Sequence, residues 1–140
     1  MTEGGGGQDL DQLLAALSVA QRPGAWCLLS GVAVPPEVVV QASVVEDEGT
    51  TVVVSVAEAE RLGQRPDFVA AWLTLEVASA LDAVGLTAAV ARALADRGIA
   101  CNVLAGFHHD HLLVPHDRAA EAIEAIEALR SDPRRGRLSP

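Results

Sequence analysis

Residues 71–115 read AWLTLEVASALDAVGLTAAVARALADRGIACNVLAGFHHDHLLVP, and the spacing of their apolar side chains changes several times. Residues 71–77 are a run of strand formers, and 78–85 a loop. From Leu86 to about Arg97 the period becomes helical, with Leu86, Val90, Ala93 and Leu94 on one face. Gly98 stands where a left-handed residue ends a helix. Residues 99–107 read as a strand, 108–110 as a turn and 112–115 as a second strand. Asp117 is placed to cap a last helix that buries Ala119, Ile123, Ile126 and Leu129. The order β-α-β-β-α predicts a ferredoxin-like unit, an antiparallel sheet with its helices on one face.

Working outward, a similar unit lies upstream. Asp9 is a helix cap for a segment in which Leu10, Leu13, Leu14 and Leu17 share a face. Pro23-Gly24 is expected to end that unit and turn the chain into a strand at 26–34, which Pro35-Pro36 breaks. Residues 38–46 and 51–56 read as strands around Asp47-Glu48-Gly49, and 57–62 as a short helix closed by Gly63. The whole order is α-β-(short α)-β-β-α-β-α-β-β-α. It predicts an α+β fold of tandem ferredoxin-like βαββαβ units forming an antiparallel sheet. The expected boundaries are a disordered leader at 1–8, units at 9–66 and 67–130, and a disordered tail at 131–140. The strand at 71–77 fits either unit, or both in one continuous sheet.

The composition agrees with a folded chain that needs no staple. Half of the 140 residues are hydrophobic, and a chain near this length buries roughly 70% of its unfolded surface. The net charge of −9 would repel a phosphate backbone, and the only arginine cluster is Arg134, Arg135 and Arg137. No nucleic-acid partner is expected. Two cysteines, Cys27 and Cys101, lie far apart and form no Cys-x-x-Cys pair. No basic segment leads into an apolar run, and no stretch approaches the ~20 apolar residues that span a bilayer. The expectation is a cytoplasmic protein with reduced thiols, no membrane association and no cofactor.

Two segments carry groups suited to chemistry. All four histidines, His108, His109, His111 and His116, fall within nine positions of one another. Imidazole and carboxylate are good metal ligands, but alternation along a hairpin sends His109 and His111 one way and His108 and Asp110 the other. A metal site, a solvated hairpin and a ligand-recognition turn are the three readings of this segment. The second segment is the loop 79–87, in which Gly85 sits at a strand-to-helix junction. Either the glycine serves only the turn, or it brings a ligand close to free N–H groups that attract an anion. In a β-α-β-β unit this loop and the hairpin lie at one end of the sheet. Amide donors for a carboxylate and Asp110 for an ammonium group would together suit a free α-amino acid. The only hint of a nucleophile is Cys101, mid-strand, where free cysteine is usually buried and inert, so no catalysis is expected.

The stretches Trp72-Leu73-Thr74-Leu75-Glu76-Val77, 81–90 and 98–115 closely resemble small bacterial ACT-domain proteins, in the tandem-ACT group that includes CASTOR-type arginine sensors. The helix over 10–17 and Pro23-Gly24-Ala25-Trp26-Cys27 resemble the start of that family, so the likeness covers roughly residues 9–130. It implies a pair of ACT units that bind an amino acid or a similar small effector, with a non-catalytic, regulatory role. In the sensors, the Asp of an Asp-His…Val-Pro motif and the backbone of a glycine turn hold the ligand. Asp110 and Val84-Gly85-Leu86 match those motifs, and His111 matches in type. Ser79, Asn102 and His109 complete the expected binding set. The sensors carry more ACT units, with the pocket between units. With two units, a comparable interface would form within this chain or in a homodimer. The likeness does not carry arginine over as the ligand.

Overall fold

Five of the six residues of Ala70–Leu75 (β4), which alternate between the two sides of a strand, are buried. A strand buried on both faces belongs in the middle of a covered sheet. The computed structural model describes residues 9–131. It places β4 in a six-stranded antiparallel sheet with Val19–Ser30 (β1), Ala42–Glu46 (β2), Gly49–Ser55 (β3), Asn102–Ala105 (β5) and Asp110–Pro115 (β6). The strand order is β2-β3-β1-β4-β6-β5. Each half is a ferredoxin-like unit, and each borrows its outer strand from the other. In the first unit β4 flanks β1, and in the second β1 flanks β4. The strand that fits either unit therefore serves both.

Four helices, Leu10–Ala15 (α1), Val56–Arg61 (α2), Leu86–Ala95 (α3) and Ala119–Glu127 (α4), cover one face of the sheet. Leu13, Leu14 and Leu17 pack with Val90 and Leu94 of α3, Ile126 of α4 and Leu73, Leu75, Leu112 and Val114 of the sheet. Under α2, Ala59 meets Cys27, Leu29, Val52 and Val54. The reverse face holds a smaller cluster built on Trp26, Val53, Ala70, Trp72 and Leu113. Its two indoles meet edge to face at 5.5 Å. The Arg22 guanidinium lies 3.9 Å from the Trp72 ring centre and donates to Gln41 Oε1 at 2.9 Å. Stacking lets the cation cover apolar surface while its edge stays wet.

Several local expectations need correction. Pro23-Gly24 does not turn the chain. β1 runs through it from Val19, with a register shift between Arg22 and Trp26 and a positive φ of 105° at Gly24. A proline has no ladder donor, and a bulge lets a strand absorb it. No helix forms in the first crossover, over 31–41, where Pro35-Pro36 supplies no amide hydrogen. The next strand consequently starts at Ala42 rather than 38. The strand expected over 99–107 is confined to Asn102–Ala105, because Ile99 turns inward beneath α3 and donates to Leu94 O at 3.0 Å. Asp117 does not cap α4; it lies in a 3-10 turn, His116–Arg118. The buried side of α4 is Ala119, Ala122, Ala125 and Ile126, with Ile123 and Leu129 only partly buried. Alanines on this face bring the helix axis closer to its neighbours than the expected isoleucine row would. The leader at 1–8 and tail positions 132–140 lie outside the described residues.

Leu73 is fully buried between the sheet and the helices. Leu73→Ala is expected to cost about 2–5 kcal/mol. Because β4 is common to both units, the loss is expected to appear in a single unfolding transition, which chemical denaturation followed by circular dichroism checks. Two separated transitions would contradict the shared-strand account.

Candidate functional site

The end of the sheet where β4 finishes and β6 begins carries the groups that the sequence singled out. Gly85 caps α3 with φ at 104°, a left-handed conformation open to glycine at little cost. An added Cβ would stand 2.8 Å from Leu10 Cδ2, so α1 packs closely over this junction. No side chain caps the helix. The internal ladder begins with Ala89 N donating to Gly85 O at 2.9 Å, which leaves the amides of Leu86, Thr87 and Ala88 outside it. The positive end of α3 therefore presents uncommitted donors.

Facing the loop is the 106–109 turn between β5 and β6. Its Gly106 amide donates to His109 O at 3.0 Å. Between turn and loop lies a cavity of about 160 Å³, smaller than the roughly 300–1,000 Å³ of drug-sized sites. Ser79, Leu81, Leu86 and Thr87 line it from the loop, and Gly106, His108, His109 and Asp110 from the turn and β6. Asp110 is half-buried, and no hydrogen bond or salt bridge engages its carboxylate among the described residues. One wall thus offers amide donors and another a carboxylate.

The expected binding residues divide by position. Ser79, Leu86, His109 and Asp110 line this cavity. Gly85 contributes the helix start, while Val84 beside it is largely exposed. Asn102 is paired with Leu113 at the far end of β5, three residues or about 10 Å along the strand from Ala105. His111 lies on the reverse face, against Trp72 and Thr74. Burial, followed by the charges of Arg22 and His109, lowers its pKa below the ordinary 6.5, against an upward pull from Asp110. Thr87, Gly106 and His108 were not in the expected set. Thr87 was legible as a first-turn residue of the helix, but only the meeting of the two loops shows which turn residues face it.

The four imidazoles do not converge. His111 is on the reverse face and His116 follows the opposite end of β6. Among the described residues no group of three or more His, Cys, Asp or Glu side chains is arranged to hold a metal ion. Cys101 is partly buried against the helix-side core, and burial pushes its thiol pKa up, away from the reactive thiolate. A larger hollow of about 560 Å³ lies between α2 and segment 63–69, but its charged lining residues, Glu60 and Arg65, are both exposed. It lacks the convergence of helix start and half-buried carboxylate that marks the smaller cavity. The counterpart place in the first unit is closed: Gly31 N donates to Thr50 O at 3.3 Å, and a Cβ on Gly49 would stand 3.4 Å from Gly31 Cα.

Two sequence-family profiles describing the ACT domain match the chain, over residues 68–128 and 5–71. Among solved structures, a Vibrio cholerae protein described as of unknown function, possibly in transport, is 31% identical, with a TM-score of 0.78. That alignment covers 87% of this chain and 96% of the other. The ligand-free regulatory subunit of aspartate kinase from Thermus thermophilus shares the fold, with a TM-score of 0.61 at 16% identity over 79% and 95% of the two chains. An Agrobacterium tumefaciens protein aligns with a TM-score of 0.58 at 19% identity over 81% and 89%. No curated protein sequence matches.

An added Cβ at Gly106 would stand 2.7 Å from the His109 carbonyl oxygen. Because that neighbour is backbone, Gly106→Ala must displace the turn. A loss of about 1–3 kcal/mol is expected, typical of overpacking, with equilibrium denaturation as the check. Wild-type stability in this variant would show that the turn is not closed as described.

Proposed function

Because the chain belongs to the ACT-domain family, with two units in tandem, we propose that it is a non-catalytic regulatory protein that binds a free amino acid or a closely related small effector. ACT domains are regulatory modules, and the fold matches the regulatory subunit of aspartate kinase. The observation that carries the finer reading is the pairing, across one small cavity, of the uncapped start of α3 with the unengaged carboxylate of Asp110. A zwitterion places its carboxylate at the amides and its ammonium at Asp110, each through a charge-assisted hydrogen bond. Ser79, Thr87 and His109 would bond its remaining polar groups, and Leu81 and Leu86 would meet its apolar part. The volume limits the guest to one small molecule.

The surroundings favour a second copy of the chain as the protein partner. Leu81, Val84 and Phe107 are 69%, 78% and 77% exposed on the two segments that form the cavity. Exposed apolar side chains around a concave site are common where another surface docks. In a homodimer they would be covered and the cavity sealed from water. The net charge of −9 disfavours nucleic acid, and no helix among the described residues is long and apolar enough to cross a membrane.

A thermal-shift screen of the twenty amino acids tests the proposal. A ligand at a hundredfold its Kd stabilises the native state by about 2.7 kcal/mol, roughly 5–10 °C in Tm for a chain of this size. Asp110→Ala is expected to abolish that shift while leaving the unliganded Tm within about 2 °C, since among the described residues no hydrogen bond or salt bridge holds the carboxylate. No response to any amino acid at millimolar concentration would remove the amino-acid reading.

A further inference from the structure

Asp110 and His111 are neighbours in sequence, yet their side chains leave β6 on opposite faces. On the reverse face His111 Nδ1 lies 3.2 Å from Trp72 Nε1 and 2.9 Å from Thr74 Oγ1. The imidazole meets the Trp72 ring edge to face at 5.4 Å. An indole N–H can only donate, so Nδ1 is the acceptor and the ring is the neutral tautomer protonated at Nε2. The Thr74 hydroxyl shares the same acceptor. Nε2 lies beside Gly106, where an added Cβ would approach it to 3.1 Å. The ring is therefore wedged between β4 and the 106–109 turn, whose residues Gly106, His108 and His109 line the cavity.

We infer that His111 is a positioning residue: it fixes the turn side of the cavity to Trp72 and Thr74 of β4 from the reverse face of the sheet, without touching the ligand. The inference rests on the reading of the cavity as a ligand site. It explains why an imidazole follows Asp110 although the two cannot face the same guest. An aliphatic side chain would leave the Trp72 N–H without its acceptor. A longer amine would bring a second positive charge beside Arg22, which already stacks on Trp72 at 3.9 Å.

Positioning of this kind depends on charge. Protonation at Nδ1 removes the acceptor, and Trp72 cannot reverse the bond. The ionisable groups that act on the ring are Arg22 from β1, His109 from the turn and Asp110 from β6; Trp72 and Thr74 of β4 and Leu104, its partner on β5, carry no charge. Burial leads the preference for the neutral form and, with Arg22 and His109, outweighs Asp110. The folded-state pKa lies below the ordinary 6.5, so the unfolded chain takes up the proton first. The stabilisation is complete above about pH 6.5 and is lost as pH falls below it. By reciprocity, a ligand that orders the turn holds His111 neutral to lower pH.

The test needs no ligand. Trp26 and Trp72 are the only tryptophans and tyrosine is absent, so intrinsic emission reports the reverse face alone. In the full ligand-free chain, lowering the pH from about 8 to about 5, across the range where histidine titrates, is expected to give one emission step below 6.5. The protection factor of the Gly106 amide, its exchange rate set against the intrinsic rate at the same pH, is expected to fall about tenfold over the same step, the effect of losing roughly one hydrogen bond. His111→Asn, whose amide oxygen can stand near the position of Nδ1, is expected to keep the fold and abolish the emission step. His111→Ala is expected to give the lowered protection factor at every pH, and the Asn variant carries the test if Ala does not fold. An unchanged emission step in His111→Asn, or a Gly106 protection factor indifferent to pH in the wild type, overturns the inference. Asp110→Ala separates the two proposals, since it is expected to abolish ligand response and retain the emission step.

Discussion

The pairing of β1 with β4 is the constraint on which the rest of the molecule depends. Val19↔Leu75 through Arg22↔Trp72 form one ladder, and after the bulge Trp26↔Ala70 resumes it. Each strand opens its own unit and completes the other, so neither unit has a closed sheet alone. Leu73 and Leu75 send apolar side chains toward the helices, and Ala70 and Trp72 send theirs to the tryptophan cluster. Breaking this ladder would expose both clusters at once.

Strand alternation then divides labour between the faces. On the helix side, the end of β4 feeds the loop that starts α3, and Asp110 stands across from it. On the reverse side, Trp72 and Thr74 of β4 both meet His111 Nδ1 at that same end of the sheet. For the proposed site, side chains locked by packing and hydrogen bonds behind the 106–109 turn would keep its geometry.

The approximate twofold relation between the units is broken at the loops. In the second unit a helix starts after β4, and its amides meet a carboxylate. In the first, the crossover after β1 contains Pro35-Pro36 and no helix, and Gly31 N donates to Thr50 O instead. The repeat preserves the sheet, where every strand needs partners, and diverges at the loops, where only function constrains the backbone. The proposed site belongs to the second unit alone.

Local chemistry in the sequence determined most of the element types and their order, the expected short helix of the first crossover excepted: Asp9 as a cap, the helical spacing of Leu86, Val90 and Leu94, the stop at Gly98, and the loop that holds Gly85. Resemblance gave the family on the same residues. Local patterns failed where tertiary partners override them. Pro23-Gly24 looks like a turn, but β4 and β3 on either side of β1 hold it as a bulge. Asp117 looks like a cap, but Arg118 donates to Glu121 and to Arg97 O, tying that segment into a 3-10 turn. The placement of His111 was hidden for a related reason: adjacency to Asp110 suggests a shared site, while the pleat separates them. Which residues meet across the cavity, and which face each side chain takes, depends on strand register. Register is fixed by burial on both sides of β4, a long-range property that no window of sequence contains.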